Sequence, residues 1–414
     1  MQRLVEVAVR RLSGLAEGLA GRLVGSRRTR RFLWAQWGLV RLAALRRMRP
    51  LYRRVTVEWD VPGHGRAVTS EVPGPRAREV LVRTVASVIW PERERASFVR
   101  DLSVSFPALP GYSLAGEVVA VGSSVASLQV GQLVATQAPH VSLVVRPAHL
   151  VFPLPSGVEV RDGACLFLGM AALQGLRQGD LRRAERVAVL GRGAIGQLVV
   201  QLARALGAGE IVSVASSDDH AGHSLSTAAG RLVAAVENAD EALDHIDADL
   251  TVEASGAPDA LLRAIRATRS GGRVVSVDAS RHPTEIVVGM AAGRGIALLD
   301  ADVSSLSLTP DAARAYQEAA QQFLDLLAQG VLDLEGLMGR EANPWEAGRL
   351  YRELAGRKRP WVTAVFRWDL LSDVDRMQRV HLWSLADTAL ARGMSMKQLP
   401  VSGMLRPPPM SEPG

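Results

Sequence analysis

The chain has 414 residues, enough for two or three domains and a sizeable core, and its 48% hydrophobic and 22% charged residues are ordinary for a globular protein. The net charge of +7 is uneven: residues 1–50 carry twelve Arg against Glu6 and Glu17, while the remainder holds 37 basic and 40 acidic residues. One cysteine, Cys165, excludes an internal disulfide and a zinc site built from several cysteines. No apolar run reaches the roughly 18 residues of a membrane span, and nothing reads as a secretory signal, so the expectation is a cytoplasmic protein.

Residues 1–50 predict a basic helical extension. Leu4, Leu12, Leu15, Leu19 and Leu23 fall at helical spacing, and "RRFLWAQWGLVRLAALRRMRP" stops at Pro50. This arm suits packing on its own body or on a partner protein. It also suits an anionic membrane surface, with Trp34 and Trp37 at the interface, which would make the protein peripheral to the membrane. No nucleic-acid-binding fold accompanies the arginines.

From residue 51 the texture turns to short β-branched runs, "RVTVEWD", "GRAVTSEV" and "EVLVRTVASVI", separated by Pro62–Gly63 and Pro73–Gly74. "YSLAGEVVAVG", "GQLVATQA" and "VSLVVRPAHLVFPLP" continue the pattern and predict a compact β-rich domain over 51–154. Residues 155–301 alternate strands with helices. "RVAVL", "EIVSVA", "RLVAAV" (231–236), "DLTVEAS", "RVVSVDA" and "GIALLDA" are the strands of a doubly wound parallel sheet, an α/β Rossmann domain. Helices and a strand, "WVTAVFRWD", follow over 302–371. Residues 372–414 form an extension whose "RPPPMSEPG" end reads as a disordered tail.

The chemistry-bearing motif is "VAVLGRGAIGQLVVQLARALGAGEIVSVASSDD". Gly191 permits a tight turn after a strand, Gly193 lets a pyrophosphate approach the backbone, and Gly196 lets the helix pack close. Arg192, Ala194 and Ile195 complete the turn, and the helix start offers N–H groups and a positive dipole end. Strand, glycines, helix and second strand together predict a bound dinucleotide. An acid ending the second strand would select NAD, but Ala215 stands there, followed by Ser216 and Ser217. Asp218 and Asp219 oppose a 2′-phosphate, so the balance leans only slightly to NADP over NAD. The "DDHAGH" cluster at 218–223 reads as a polar loop rather than a metal site, and no GxSxG or paired-Cys motif is present.

The order of pieces resembles the medium-chain dehydrogenase/reductase family, the zinc-type alcohol and polyol dehydrogenases. The pieces are "FPALPGYSLAGEVVAVGSSV", "VGQLVA", "VVRPAHLVFPLP", "GMAALQGLRQG", the glycine fingerprint, "DLTVEASGAP" and "GGRVVSVDA". The resemblance extends to the dehydrogenase half of two-part sugar-pathway oxidoreductases. It implies a GroES-like catalytic domain made of 51–154 and 302–371 around the dinucleotide domain. It also implies a homodimer paired near Ile296–Ala301, and nicotinamide contacts from Ser255, Ser276 and Asp278.

The resemblance also locates departures. Where relatives bind catalytic zinc, this chain reads "ASVIWPERE" without a cysteine and Gly111-Tyr112-Ser113 in place of Gly-His-Glu; Cys165 lies near the third position but out of step. No zinc is therefore expected, and Cys165 reads as a buried apolar thiol. Proton transfer then falls to Tyr112 with Ser113 beside it, or to Glu92 or His140 as polar orienting groups. The reading is a zinc-independent NAD(P)-dependent oxidoreductase acting between a nicotinamide and a carbonyl or secondary alcohol of a sugar, cyclitol or natural-product intermediate. A quinone or enoyl reductase, and a catalytically silent binding protein at a membrane or partner enzyme, are its alternatives.

Overall fold

The computed structural model describes residues 49–99, 104–214, 243–257, 259–277, 285–301, 310–356, 361–372 and 378–380. The basic segment up to 48, Ala215, Ser216 and Ser217, the 218–223 cluster, the strand expected at 231–236, Asp278 and the tail beyond 380 lie outside these residues.

From Pro50 onward the chain is one compact unit. It opens with a hairpin of β1 (Leu51–Val61) and β2 (His64–Pro73), reversing at Pro62–Gly63, where Gly63 takes a φ of +74° that favours glycine. Then come β3 (Glu79–Val88), α1 (Pro91–Val99), β4 (Ser113–Val121), β5 (Leu133–Thr136), β6 (Leu143–Pro147) and β7 (Val151–Pro153). A buried helix, α2 (Leu166–Gln178), leads to β8 (Arg186–Leu190), α3 (Ala194–Ala205) and β9 (Glu210–Val214). After these lie β10 (Ala248–Glu253), α4 (Ala260–Ala267), β11 (Thr268–Ser276), α5 (Glu285–Gly293) and β12 (Ala297–Asp300). The last elements are α6 (Pro310–Ala328), β13 (Arg340–Ala342), α7 (Ala347–Ala355), β14 (Ala364–Arg367) and β15 (Gln378–Val380).

Three sheets result. One has the order β12-β11-β10-β8-β9 with every pair parallel. Its inner strand β8 reads as an apolar run, Val187 to Leu190 all buried, because both faces are covered. The strand order reverses between β8 and β10, which leaves a crevice beyond their carboxyl ends. A second sheet runs β13-β14-β3-β4-β5-β7 with β6 on β3, so the late strand β14 returns to pair with β3. The third, β15-β1-β2, includes a strand from the C-terminal extension: Leu51 faces Val380 in an antiparallel pair. That strand is three residues long and carries no alternation that would mark it in sequence. Among the described residues, no helix is long and apolar enough to cross a membrane.

One core cluster joins β3 and β4 of the second sheet to α2, α3, the parallel strands and α6. Its centre is α2, buried without a break from Leu166 to Leu176, as expected of a helix that is apolar all round. Small residues let neighbours nest on it. A Cβ at Gly169 would overlap the Phe323 ring of α6, and one at Gly175 would come within 2.8 Å of Val277. Gly169→Ala is therefore expected to cost about 1–3 kcal/mol by overpacking. Urea denaturation followed by circular dichroism checks this; an unchanged midpoint would show that α6 does not press on α2 here.

Candidate functional site

The glycine turn after β8 has the form its spacing predicts. Gly191 has φ +102°, and a Cβ there would approach Ser255 N to 2.8 Å. A Cβ at Gly196 would overlap the carbonyl oxygen of Gly191, so only glycine allows α3 to start this close to the strand. Gly193 is the N-cap of α3, with extended backbone and no side-chain cap, and Gln197 N donates to its carbonyl at 3.0 Å. The helix start thus keeps the donors and positive dipole end suited to phosphate. Ala194 and Ile195 are buried and anchor the first turn in the core. Arg192 stands half-buried at the turn, and its carbonyl accepts from Gln197 Nε2 at 3.0 Å.

Across the crevice the end of β10 is locked by Glu253, which the sequence did not single out. Its Oε1 accepts from Ser255 N at 2.6 Å, Ser255 Oγ at 2.7 Å and Gly256 N at 3.0 Å. The Ser255 hydroxyl is thereby engaged in shaping the turn next to Gly191. Ser276 ends β11, and its carbonyl accepts from Ala301 N at 3.0 Å. These observations fit a dinucleotide lying over the turn. Gly191, Gly193, Gly196 and the start of α3 would hold its phosphates, and the ends of β10 and β11 would line the rest.

The second half of the site comes from α1. Pro91, Glu94 and Phe98 face inward, so Glu92 and Arg93 stand on the other side of the helix. A Cβ at Gly193 would overlap Glu92 Oε1 and lie 3.0 Å from its Cδ. The carboxylate of the β-rich domain thus reaches the phosphate cradle. Beside it Trp90, Tyr112 and Phe167 form a ring cluster. Tyr112 stacks on Phe167 at 6.1 Å and 12°, while Trp90 meets the two edge-on at 5.8 and 6.2 Å. Arg93 Cζ lies 5.0 Å from the Tyr112 centroid and 5.5 Å from that of Trp90.

Behind α1 lies a fully buried polar network. Glu94 Oε1 accepts from Trp90 N at 2.8 Å, and Oε2 accepts from Tyr351 OH at 2.6 Å and faces His140 Nε2 at 3.3 Å. His140 Nδ1 meets Ser87 Oγ at 2.8 Å, and Ser87 Oγ in turn accepts from Trp368 Nε1 at 2.8 Å. Burial, followed by the neighbouring Glu94 carboxylate, pushes the Tyr351 phenol well above its ordinary value. His140 was expected near the substrate cleft. The structure instead engages both its ring nitrogens in the interior, with no exposed surface, so its role is to hold Glu94 and α1 in place. Ser113 is likewise buried, its Oγ accepting from Phe167 N at 3.0 Å, which ties the start of β4 to α2. Glu92 reaches the cradle, and Tyr112 lies against Arg93, the next residue of α1; His140 and Ser113 are buried.

Zinc does not fit these residues. Trp90 and Tyr112 occupy the loops where the resemblance places ligands. Cys165 is buried, its Sγ 3.8 Å from Met338 Sδ in the core rather than in the cleft. Among the described residues, no group of three or more His, Cys, Asp or Glu is arranged to hold a metal ion.

A parallel sheet with a glycine turn at its switch point, joined to a β-rich domain that sends a side chain into that turn, is the frame of a two-domain dinucleotide dehydrogenase. Residues 76–155 match the family model described as alcohol dehydrogenase GroES-like domain, and residues 194–327 match the one described as zinc-binding dehydrogenase. The chain belongs to the medium-chain dehydrogenase/reductase family, with the alcohol and polyol dehydrogenases. It is 24% identical over 296 residues to the Aspergillus clavatus protein named "Probable D-xylulose reductase A", covering 62% of this chain and 79% of that one. It is 26% identical over 228 residues to the (R,R)-butanediol dehydrogenase of Bacillus subtilis, covering 46% of this chain and 65% of that one. The crystal structure of galactitol-1-phosphate dehydrogenase from Escherichia coli superimposes with a TM-score of 0.63 at 19% identity, covering 76% of this chain and 99% of that one.

Burial, followed by the nearby Asp162 carboxylate, pushes the Cys165 thiol up from 9.0 to about 12. The folded state therefore favours the neutral thiol: its contribution to stability is present below pH 9 and lost as the pH rises from 9 towards 12. Native protein at pH 8 is expected to resist a thiol reagent that reacts stoichiometrically after unfolding in urea. Fast labelling of the native protein would place Cys165 at the surface.

Proposed function

We propose that this protein is a zinc-independent NAD(P)-dependent oxidoreductase that interconverts a carbonyl and a secondary alcohol. The turn at Gly191, Gly193 and Gly196 carries the reading, because a Cβ at Gly196 has no room and the uncapped start of α3 faces the crevice. When bound, the nicotinamide supplies or takes up the hydride. This chain's residues do the rest. The start of α3 orients the phosphates, Glu253 fixes the turn on the opposite side, and the ring cluster of Trp90, Tyr112 and Phe167 excludes water from the reacting carbon.

The proton at the reacting oxygen is assigned to the phenol of Tyr112, which stands where the resemblance puts a metal-binding histidine. A sugar-, cyclitol- or natural-product-like substrate, a slight preference for NADP and pairing as a homodimer belong to the same reading. The polyol-type relatives support the substrate class. One observation favours the silent alternative: Glu92 lies in the phosphate cradle, where a carboxylate opposes a pyrophosphate.

Titration with NADPH and with NADH, followed by fluorescence and thermal shift, tests the proposal. Binding is expected with a dissociation constant in roughly the 1 μM–1 mM range common to enzyme ligands. Gly196→Val is expected to weaken it at least about 30-fold, the equivalent of about 2 kcal/mol of overpacking. No response of the wild type to either nucleotide at millimolar concentration would defeat the enzyme reading. Binding without turnover across a broad carbonyl panel would support the silent one.

A further inference from the structure

Arg93 is set apart from several half-buried arginines that are paired with acids. Arg83 is paired with Glu117, Arg273 with Glu185, and Arg367 with Glu341 and Asp369. Arg93, also half-buried, makes no hydrogen bond or ion pair among the described residues; it lies over the faces of Trp90 and Tyr112. A guanidinium held over ring faces by their quadrupoles keeps the donors on its edge available, in a planar fork that matches a carboxylate.

The placement of this fork decides what it meets. Consecutive residues of a helix point about 100° apart, so Glu92 and Arg93 divide the cleft between them. Glu92 reaches Gly193, where the cofactor's phosphates belong, and Arg93 turns instead to the rings of Trp90, just after β3, and Tyr112, just before β4. Phosphates of the cofactor therefore meet an acid, and the free fork lies on the side left for substrate. The rings beneath it offer an apolar floor to a carbon skeleton. We propose that Arg93, seated on Trp90 and Tyr112, forms a subsite for a carboxylate on the substrate, so that the enzyme acts on a hydroxy acid of the sugar-acid type. This rests on the oxidoreductase reading of the same cleft and adds the charge of its substrate.

The experiment compares D-gluconate with its neutral counterpart D-glucitol by titration calorimetry, with and without saturating NADPH, on the full chain. Wild-type protein is expected to bind gluconate at least about 10-fold more tightly than glucitol. Arg93→Gln should abolish that difference, Arg93→Lys should lower it, and Arg95→Gln on the same helix should leave it intact. NADPH binding by Arg93→Gln, unchanged from wild type, shows that the variant is folded. Equal binding of the two probes, or selectivity that survives Arg93→Gln, overturns the subsite while leaving the cofactor reading standing. Selective gluconate binding by a protein that binds no NADPH upholds the subsite and defeats the cofactor reading.

Discussion

The cleft depends on the buried Glu94 carboxylate. A charge without solvent exposure is tolerable only when it is paired and hydrogen-bonded, and Glu94 is met by Trp90 N, the Tyr351 hydroxyl and His140. One partner is the backbone just before α1 and the others come from α7 and the segment before β6, so one side chain ties α1 to two distant parts of the chain. Because Glu94 is fixed inward, Glu92 and Arg93 are fixed outward. The same hub therefore aims an acid at the dinucleotide cradle and a guanidinium at the ring cluster.

At the positions where the resemblance places zinc ligands, Trp90 and Tyr112 carry rings instead. Trp90, Tyr112 and Phe167 pack against one another and against the main core. Arg93 sets a guanidinium over the Trp90 and Tyr112 rings, a group that acts through directed hydrogen bonds. The cofactor half needed no such replacement. Its geometry is set by glycines that admit no side chain, with the Glu253 carboxylate fixing the turn across the crevice.

The legible parts of the sequence are the local ones. Strand, glycines and helix follow each other within residues 186–205, so their periodicity and turn chemistry announced the cradle directly. The apolar run around Cys165 likewise announced a buried thiol. The α1 hub was not legible, since Glu94 and Tyr351 are 257 residues apart and Glu94 and His140 are 46 apart. "PERERASFV" has alternating charges that give no hint which acid is buried. His140 was placed in the cleft for the same reason: a histidine's neighbours decide its role, and they are non-local. Glu253 carries a local signal, an acid two residues before Ser255 at a strand end, but one shared by many strand ends.

The central claim is that a dinucleotide's phosphates occupy the start of α3 facing the Glu92 carboxylate. Measuring NADPH affinity in Glu92→Gln against wild type tests it most directly. Removing one negative charge from the cradle, with little change of shape, is expected to tighten binding about 10-fold, the equivalent of about 1.4 kcal/mol. Unchanged or weaker binding would contradict the account, because the acid would then either stand away from the phosphates or serve as a ligand to the cofactor.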